Sequence, residues 1–413
     1  MPAPSARSVT TGSPPADDTG VQAGSPAYQR IGMAFFLAGL ACFSLIYCVQ
    51  PLLPAFAVHF GVSPASSSLA LSVTTAALAV SAVLSSAFSQ SFGRRGFMGA
   101  ALVGAGVLNI ATTLWPSWPA LLVMRTLEGA ALGGVPPIAM AYLSEEIHGA
   151  HLGRAMGRYI AGTALGAMTG RIGVGLLSLV MSWQWTLISM GALAALAGVV
   201  FVFVLPPSQH FVAMRRPKMT FHLAAWQQHL KTPRLLRLYG IGFMLTSIQV
   251  TLFSYAMYRL VGPPHDLSKS VASLIFLAFG LGIWTSTLGG RLADRFGRQP
   301  ILALGLGLAI IGLVITLAPN LVCLGLGILL ATGGFFITHS VASSSVGQLA
   351  GVHRAHASSL YLLFYYVGAS LTPLAGGLLW HAYGWSAVAL LCTGCAGIGL
   401  MLCRGVSSDE RAA

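Results

Sequence analysis

Arg125 and Glu128 stand three residues apart in a largely apolar run, so they lie about one turn apart on one helix face. A carboxylate placed among arginines in such a run can exchange a proton as its surroundings change, and the arginines favour an anionic or zwitterionic group, or a neutral one bound by hydrogen bonds, over a simple cation. Arg171 is a third charge of this kind, and with Arg259 it leaves positive charge in excess over Glu128. The competing reading is a structural ion pair that satisfies buried charge and never titrates. His339 either titrates or packs through a hydrogen bond. Tyr47 and Gln50 in one run answer Tyr255, Tyr258 and Arg259 in another, and Tyr361, Tyr365 and Tyr366 offer rings for stacking. Tyr258 and Arg259 read most simply as interfacial anchors. No metal-binding HExxH, nucleophile elbow, Ser/Lys pair or nucleotide-binding loop is present, which argues against an enzyme and against a self-contained ATP pump. Cys392-x-x-Cys395 has metal spacing, but with no His or acidic neighbour it reads as small packing residues, so no metal or cofactor is expected.

The elements that must carry these residues are membrane helices. Hydrophobic residues make up 55% of the chain and charged ones 8%, and no Asp, Glu, Lys or Arg occurs from Ile31 to Gly93. With a mean hydropathy of +0.78, that is too much apolar surface for a soluble domain to hide. Apolar runs at 31–56, 68–89, 97–115, 118–143, 156–181 and 185–205 are followed by a second set at 238–261, 271–290, 299–317, 320–345, 358–381 and 386–403. Each is long enough to cross a bilayer. Basic residues fall at the termini, after even-numbered spans and in the linker, whereas Lys269 stands in a loop of the opposite side. This predicts cytoplasmic termini and a cytoplasmic linker. The pI near 9.9 is thereby a topology signal and not a sign of a nucleic-acid partner. Glu128 and Arg171 each sit about ten residues below the outer end of their spans, so at 1.5 Å per residue both are about 15 Å deep. That depth predicts one charge network of Arg125, Glu128 and Arg171 at a central cavity.

The chain divides into a disordered tail (1–30), a six-helix bundle (31–205), a basic linker (206–237), a second bundle (238–403) and a short tail (404–413). The loop Gly290-Arg-Leu-Ala-Asp294-Arg295-Phe-Gly297-Arg298 has a worn copy ending in Gln90-Ser-Phe-Gly93-Arg94-Arg95. Further pairs recur at offsets of 200 to 202: Gly133-Gly134 with Gly333-Gly334, Tyr159 with Tyr361, Gly166-Ala167 with Gly368-Ala369, and Trp183 with Trp385. Such duplication is how membrane carriers build a site between two bundles. In the loop, Gly relaxes a tight turn, Arg side chains reach lipid phosphate or helix-end carbonyls, and Asp294 can pair as a latch that one conformation breaks. The plainer reading is a solvated turn. Where the first copy has Gln90, the latch is expected to be weaker, or to be supplied by Glu145 and Glu146.

On these residues the chain resembles the major facilitator superfamily, and within it the twelve-span drug/proton antiporter-like branch. The loop from Gly290 to Arg298 matches the superfamily's loop motif, and Arg125-x-x-Glu128-Gly129 resembles its second motif. Gly162-x-x-x-Gly166-x-x-x-Gly170 resembles the antiporter glycine motif, with Arg171 where a Gly-Pro pair is expected. The resemblance implies an all-α membrane protein of twelve transmembrane helices in two pseudo-symmetric six-helix bundles. It also implies a monomeric secondary carrier in a bacterial inner membrane, exporting a small organic solute by alternating access with protons as coupling ion. A facilitator or importer of a sugar or other metabolite is the alternative within transport. A non-transporting sensor or an intramembrane enzyme is the alternative from another class.

Overall fold

A computed structural model describes residues 20–88, 93–209, 219–350, 354–404 and 406. The tail to residue 19, Gln90, Ser91 and the linker positions 210–218 lie outside the described residues. Span one is broken into α1 (Pro26–Tyr47), a 3-10 turn (Gln50–Leu52) and α2 (Leu53–Phe60). Pro51 and Pro54 cause that break, because proline removes a donor and crowds the preceding turn. Spans two and three are α3 (Pro64–Phe88) and α4 (Arg94–Ala111). The fourth span divides at Gly133-Gly134 into α5 (Trp118–Leu132) and α6 (Val135–Glu146). The fifth and sixth are α7 (Gly149–Leu177) and α8 (Trp183–Val204).

The basic linker carries a helix of its own. It contains α9 (Met219–Leu230), whose His222, Ala225 and His229 form a buried stripe at helical spacing. Then come α10 (Pro233–Val261) and α11 (Lys269–Ser273), followed by a 3-10 segment (Leu274–Gly280) and α12 (Leu281–Phe296). After them run α13 (Arg298–Ile315), α14 (Leu321–Leu349) and α15 (Arg354–Cys403). Gly384 at φ 68° interrupts α15, so spans eleven and twelve are two rods joined end to end. Among the described residues nine helices are long and apolar enough to cross a membrane by themselves. Twelve spans result when α15 is divided at Gly384 and when α4 and the broken α5–α6 rod are included.

Each start has a local cause. Ser25 accepts the Tyr28 N–H at 3.2 Å with Pro26 in the first turn, and Asn320 accepts the Val322 N–H at 2.7 Å. Packing repeats in both halves. Span one lies on span five, two on four and three on six, as seven lies on eleven, eight on ten and nine on twelve. The α1–α7 contact is close because Gly162, Gly166 and Gly170 of α7 face the backbone of Phe36, Leu40 and Ser44. Gly173, the next glycine of that series, faces open space. Two apolar cores result, one built mainly from Tyr28 to Leu205 with Val250, Tyr366 and Ala369 of the second half, the other from Leu235 to Cys403. The halves meet through span two on span eleven and span five on span eight.

Candidate functional site

Arg125 is fully buried and acts first on the break in span one. The last carbonyls of α1 have no helical partner, since the chain turns into a 3-10 segment with Pro51. Arg125 Nη1 donates to Leu45 O at 3.3 Å and Nη2 to Ile46 O at 3.0 Å, while Nε donates to Ala70 O of α3 at 3.1 Å. Its Nη1 also reaches Asn109 Oδ1 at 3.4 Å and Glu128 Oε2 at 2.7 Å. The other carboxylate oxygen, Oε1, is buried with no hydrogen-bond partner among the described residues. Asn109 is held in turn by donating to Leu187 O at 2.7 Å. It was missed in the sequence, although it is an uncommon polar residue in the apolar third span.

Arg171 does not join this pair, which corrects the expected network of three charges. Equal depth brought the expectation, but α1 stands between: Arg125 binds its end from one side and Arg171 lies on the other. Arg171 Nε donates to Gln50 Oε1 at 2.6 Å and Nη1 to Ala167 O at 2.5 Å. Its guanidinium carbon lies 3.8 Å from the centre of the Tyr47 ring and 4.3 Å from that of Phe279, with Phe276 at 5.3 Å. Both phenylalanines belong to the second half. They stand on the 3-10 segment of span eight, where residues three apart eclipse one another and share a face. Phe276-x-x-Phe279 was the signal available in sequence.

The second half continues this surface. Tyr365 lies within electrostatic reach of Arg171 and Tyr47. Its ring is 4.9 Å from that of His339, which stacks on Phe335 at 5.7 Å and shares a 2.9 Å hydrogen bond through Nδ1 with the Tyr361 hydroxyl. Tyr47, Gln50 and Arg171 thus meet Phe276 and Phe279 of the second half, and Tyr365, His339 and Tyr361 form a second connected group in that half. Arg125 and Glu128 sit behind α1. Tyr255 is elsewhere again, donating to Pro373 O at 2.6 Å and stacked near Tyr258 and Trp380.

Hydrogen bonds joining the halves gather toward the end opposite the basic loops. Gln50 Nε2 donates to Val250 O at 3.3 Å and Ser254 Oγ at 3.0 Å. The Tyr258 hydroxyl donates to Leu53 O at 3.0 Å and meets Ser67 Oγ at 2.5 Å, and Ser270 donates to Gly175 O at 2.7 Å. Nearer the middle, the hydroxyls of Thr75 and Ser370 are 2.7 Å apart. Tyr258 is thus a seal between halves and not the interfacial anchor its position near a span end suggested. Arg259 donates to Ala318 O at 3.0 Å and lies over Trp385, which closes the end of α13.

At the basic-loop end several polar contacts lie inside one half. Arg94 pairs with Glu145, and Arg95 donates to Val202 O at 2.7 Å. Burial raises the pKa of the Glu145 carboxyl from its ordinary value and lowers that of Arg94, each opposed by attraction to the other. Glu146 accepts from Ser208. In the second half Arg298 donates to Ser345 at 2.9 Å and to Gln348, a neutral counterpart of the Arg94–Glu145 pair. Gly297 turns the chain between α12 and α13 at φ 86°, a conformation that requires glycine. A methyl group at Gly290 would meet nothing, Gly93 is exposed, and Arg295 lies over the ring of Phe296. Asp294 is placed in the last turns of α12. The six cysteines are unpaired thiols, and among the described residues no group of three metal-ligating side chains occurs.

Comparison with known proteins agrees with this architecture. The family described as Major Facilitator Superfamily matches residues 34–262 and 240–412. The chain is 44% identical over 372 residues to the uncharacterized MFS-type transporter YybF of Bacillus subtilis, covering 90% of this chain and 91% of that one. It is 39% identical over 393 residues to the inner membrane transport protein YnfM of Escherichia coli, covering 92% and 94%. Among solved structures, a bacterial homolog of the human lysosomal transporter Spinster, in an inward-facing conformation, superposes with a TM-score of 0.71 at 16% identity, over 93% of this chain and 95% of that one. A duplicated twelve-span fold, the Gly290–Arg298 loop and full-length similarity to these transporters place the chain in the Major Facilitator Superfamily.

Proposed function

We propose that the chain is a secondary carrier of a small organic solute in the bacterial inner membrane, exporting it by alternating access in exchange for protons. The observation that carries this reading is the distribution of bonds between the halves. Gln50, Ser67, Tyr258 and Ser270 tie the halves together at the end away from the basic loops. At the basic-loop end Arg94 pairs with Glu145 of its own half and Arg298 donates to Ser345 of its own half. A seal at one end, with polar and aromatic residues of both halves behind it, is what one state of an alternating carrier requires. The basic loops mark the cytoplasmic side, with both termini there, so this state opens to the cytoplasm. The Spinster homolog is described in an inward-facing state of the same fold.

Glu128 is the proposed proton carrier. It is sealed in the first bundle with Oε1 unpaired among the described residues, and Arg125 can hold either protonation state in place. Glu128→Gln keeps size and hydrogen bonding but removes titration. In proteoliposomes it is expected to abolish uphill, gradient-driven movement of solute while leaving solute exchange measurable. Uphill transport at the unsubstituted rate would move coupling to His339 or point to a facilitator without a coupling ion.

A further inference from the structure

Arg171 is a buried cation with no carboxylate partner among the described residues. Of the nine acidic residues, Asp17, Asp18, Asp409 and Glu410 belong to the tails, Asp266 to a loop, and Glu145, Glu146 and Asp294 to the basic-loop end of the helices. Glu128 alone stands within a span, and Arg125 takes it. What Arg171 holds instead is a carboxamide. The Nε–H and one Nη2–H of a guanidinium point the same way and form a side-on fork that fits the two oxygens of a carboxylate. Gln50 Oε1 occupies the Nε tooth at 2.6 Å, Nη1 is bound to Ala167 O, and the Tyr47 side chain also hydrogen-bonds the guanidinium. Neutral side chains thus stand where a planar anion would fit.

The surroundings define the rest of that anion. Tyr47 and Phe279 lie against the guanidinium, and Phe276 and Tyr365 extend the aromatic wall into the second half. A ring attached to the carboxylate would stack there, and one uncompensated cation matches one negative charge. We propose that Arg171 docks the solute and that the solute is an aromatic monocarboxylate, a refinement that rests on the carrier reading. Docking also acts on the seal. Gln50 Oε1 is bound to Arg171 of the first half, while its Nε2 is bound to Val250 O and Ser254 Oγ of the second. A carboxylate that takes both teeth of the fork displaces Gln50 Oε1 and removes the restraint that orients the amide across the interface. Binding at the centre thereby loosens the end opposite the basic loops.

The test uses the purified full chain in lipid nanodiscs, with benzoate as probe and thermal stabilisation against concentration as readout. Benzamide and benzylamine serve as neutral and cationic analogues, and acetate as the anion without a ring. Benzoate is expected to saturate at concentrations at least tenfold below all three, because a bidentate charged hydrogen bond contributes about 10- to 100-fold in affinity. Arg171→Gln should remove the preference for benzoate. Gln50→Ala should tighten benzoate binding by about tenfold, since no amide must then be displaced. Arg171→Lys, which keeps the charge but lacks the fork, should weaken benzoate at least tenfold and covers the case in which Arg171→Gln does not fold.

Equal response to benzamide or benzylamine, or a benzoate response that survives Arg171→Gln and Arg171→Lys, overturns the anion site. Acetate binding as tightly as benzoate overturns the aromatic part. Gln50→Ala binding no tighter overturns the displacement. Accessibility of single cysteines at the two ends separates this inference from the carrier reading. Arg171-dependent benzoate binding without alternating accessibility leaves the anion site standing and removes the carrier. Alternating accessibility without any preference for carboxylates does the reverse.

Discussion

Replacing Arg125 by Met tests whether the Arg125–Glu128 pair is built into the first bundle as its contacts indicate. Both side chains are fully buried, and Arg125 also donates to the carbonyls of Leu45, Ile46 and Ala70. Removing one partner of such a pair strands a buried charge and costs about 3–5 kcal/mol. The three carbonyls lose a donor as well, at about 1 kcal/mol each. In the double variant Arg125→Met/Glu128→Leu the stranded charge is gone and only the carbonyl loss remains, about 3 kcal/mol. The single variant is therefore expected to be less stable than the double by about 3–5 kcal/mol, a factor of more than a hundred in the ratio of folded to unfolded protein. Glu128→Gln retains an oxygen for Arg125 and should lie nearest the parent chain. Reversible unfolding in mixed micelles, titrated with a denaturing detergent and followed by tryptophan fluorescence, gives the order. A single variant as stable as the double would show that Glu128 gains nothing from Arg125, and the structural account of the pair would fail.

Three further outcomes follow from the packing and the seal. Gly166→Ala places a methyl group 2.3 Å from Leu40 O, so the backbones of α1 and α7 must part, at about 1–3 kcal/mol, whereas Gly173→Ala meets nothing and should stabilise the helix by up to about 1 kcal/mol; the same denaturation assay ranks them. Tyr258→Phe removes the hydroxyl that joins Leu53 and Ser67, and a cysteine placed at Ala65 should label faster from the side opposite the basic loops than in the parent chain. Unchanged labelling would remove Tyr258 from the seal. Reporter fusions at Lys218 and at the C-terminus should both read as cytoplasmic, and an opposite reading from either would contradict the topology drawn from the basic residues.

Much of this fold is legible along the chain because the bilayer acts on each span separately. Length and hydropathy mark the twelve spans, the basic residues mark one side, and recurrence at offsets of 200 to 202 marks the duplication. Breaks are local too: Pro51 and Pro54 sit where span one changes helix type, Gly133-Gly134 where span four divides, and Gly384 where spans eleven and twelve meet. The glycines at 162, 166 and 170 announced a close contact but not that α1 is the neighbour. Nor did the sequence show a helix in the linker, whose buried stripe is made of His222, Ala225 and His229.

Which charges meet was decided by tertiary structure. Counting residues from a helix end gives an expected depth, and on that count Glu128 and Arg171 lie at a similar level, with Arg125 one turn further out. Whether side chains at one level touch depends on the order in which helices are packed around the bundle and on the rotation of each about its axis. Neither quantity is written in any single span. With α1 between them, Arg125 turns to the open carbonyls of Leu45 and Ile46, and Arg171 turns to Gln50 and to Phe276 and Phe279 of the other half. Those partners lie 79 to 121 residues away in sequence; Leu45, Ile46 and Gln50 meet the arginines once the first bundle has formed, Phe276 and Phe279 only once the second half packs on it.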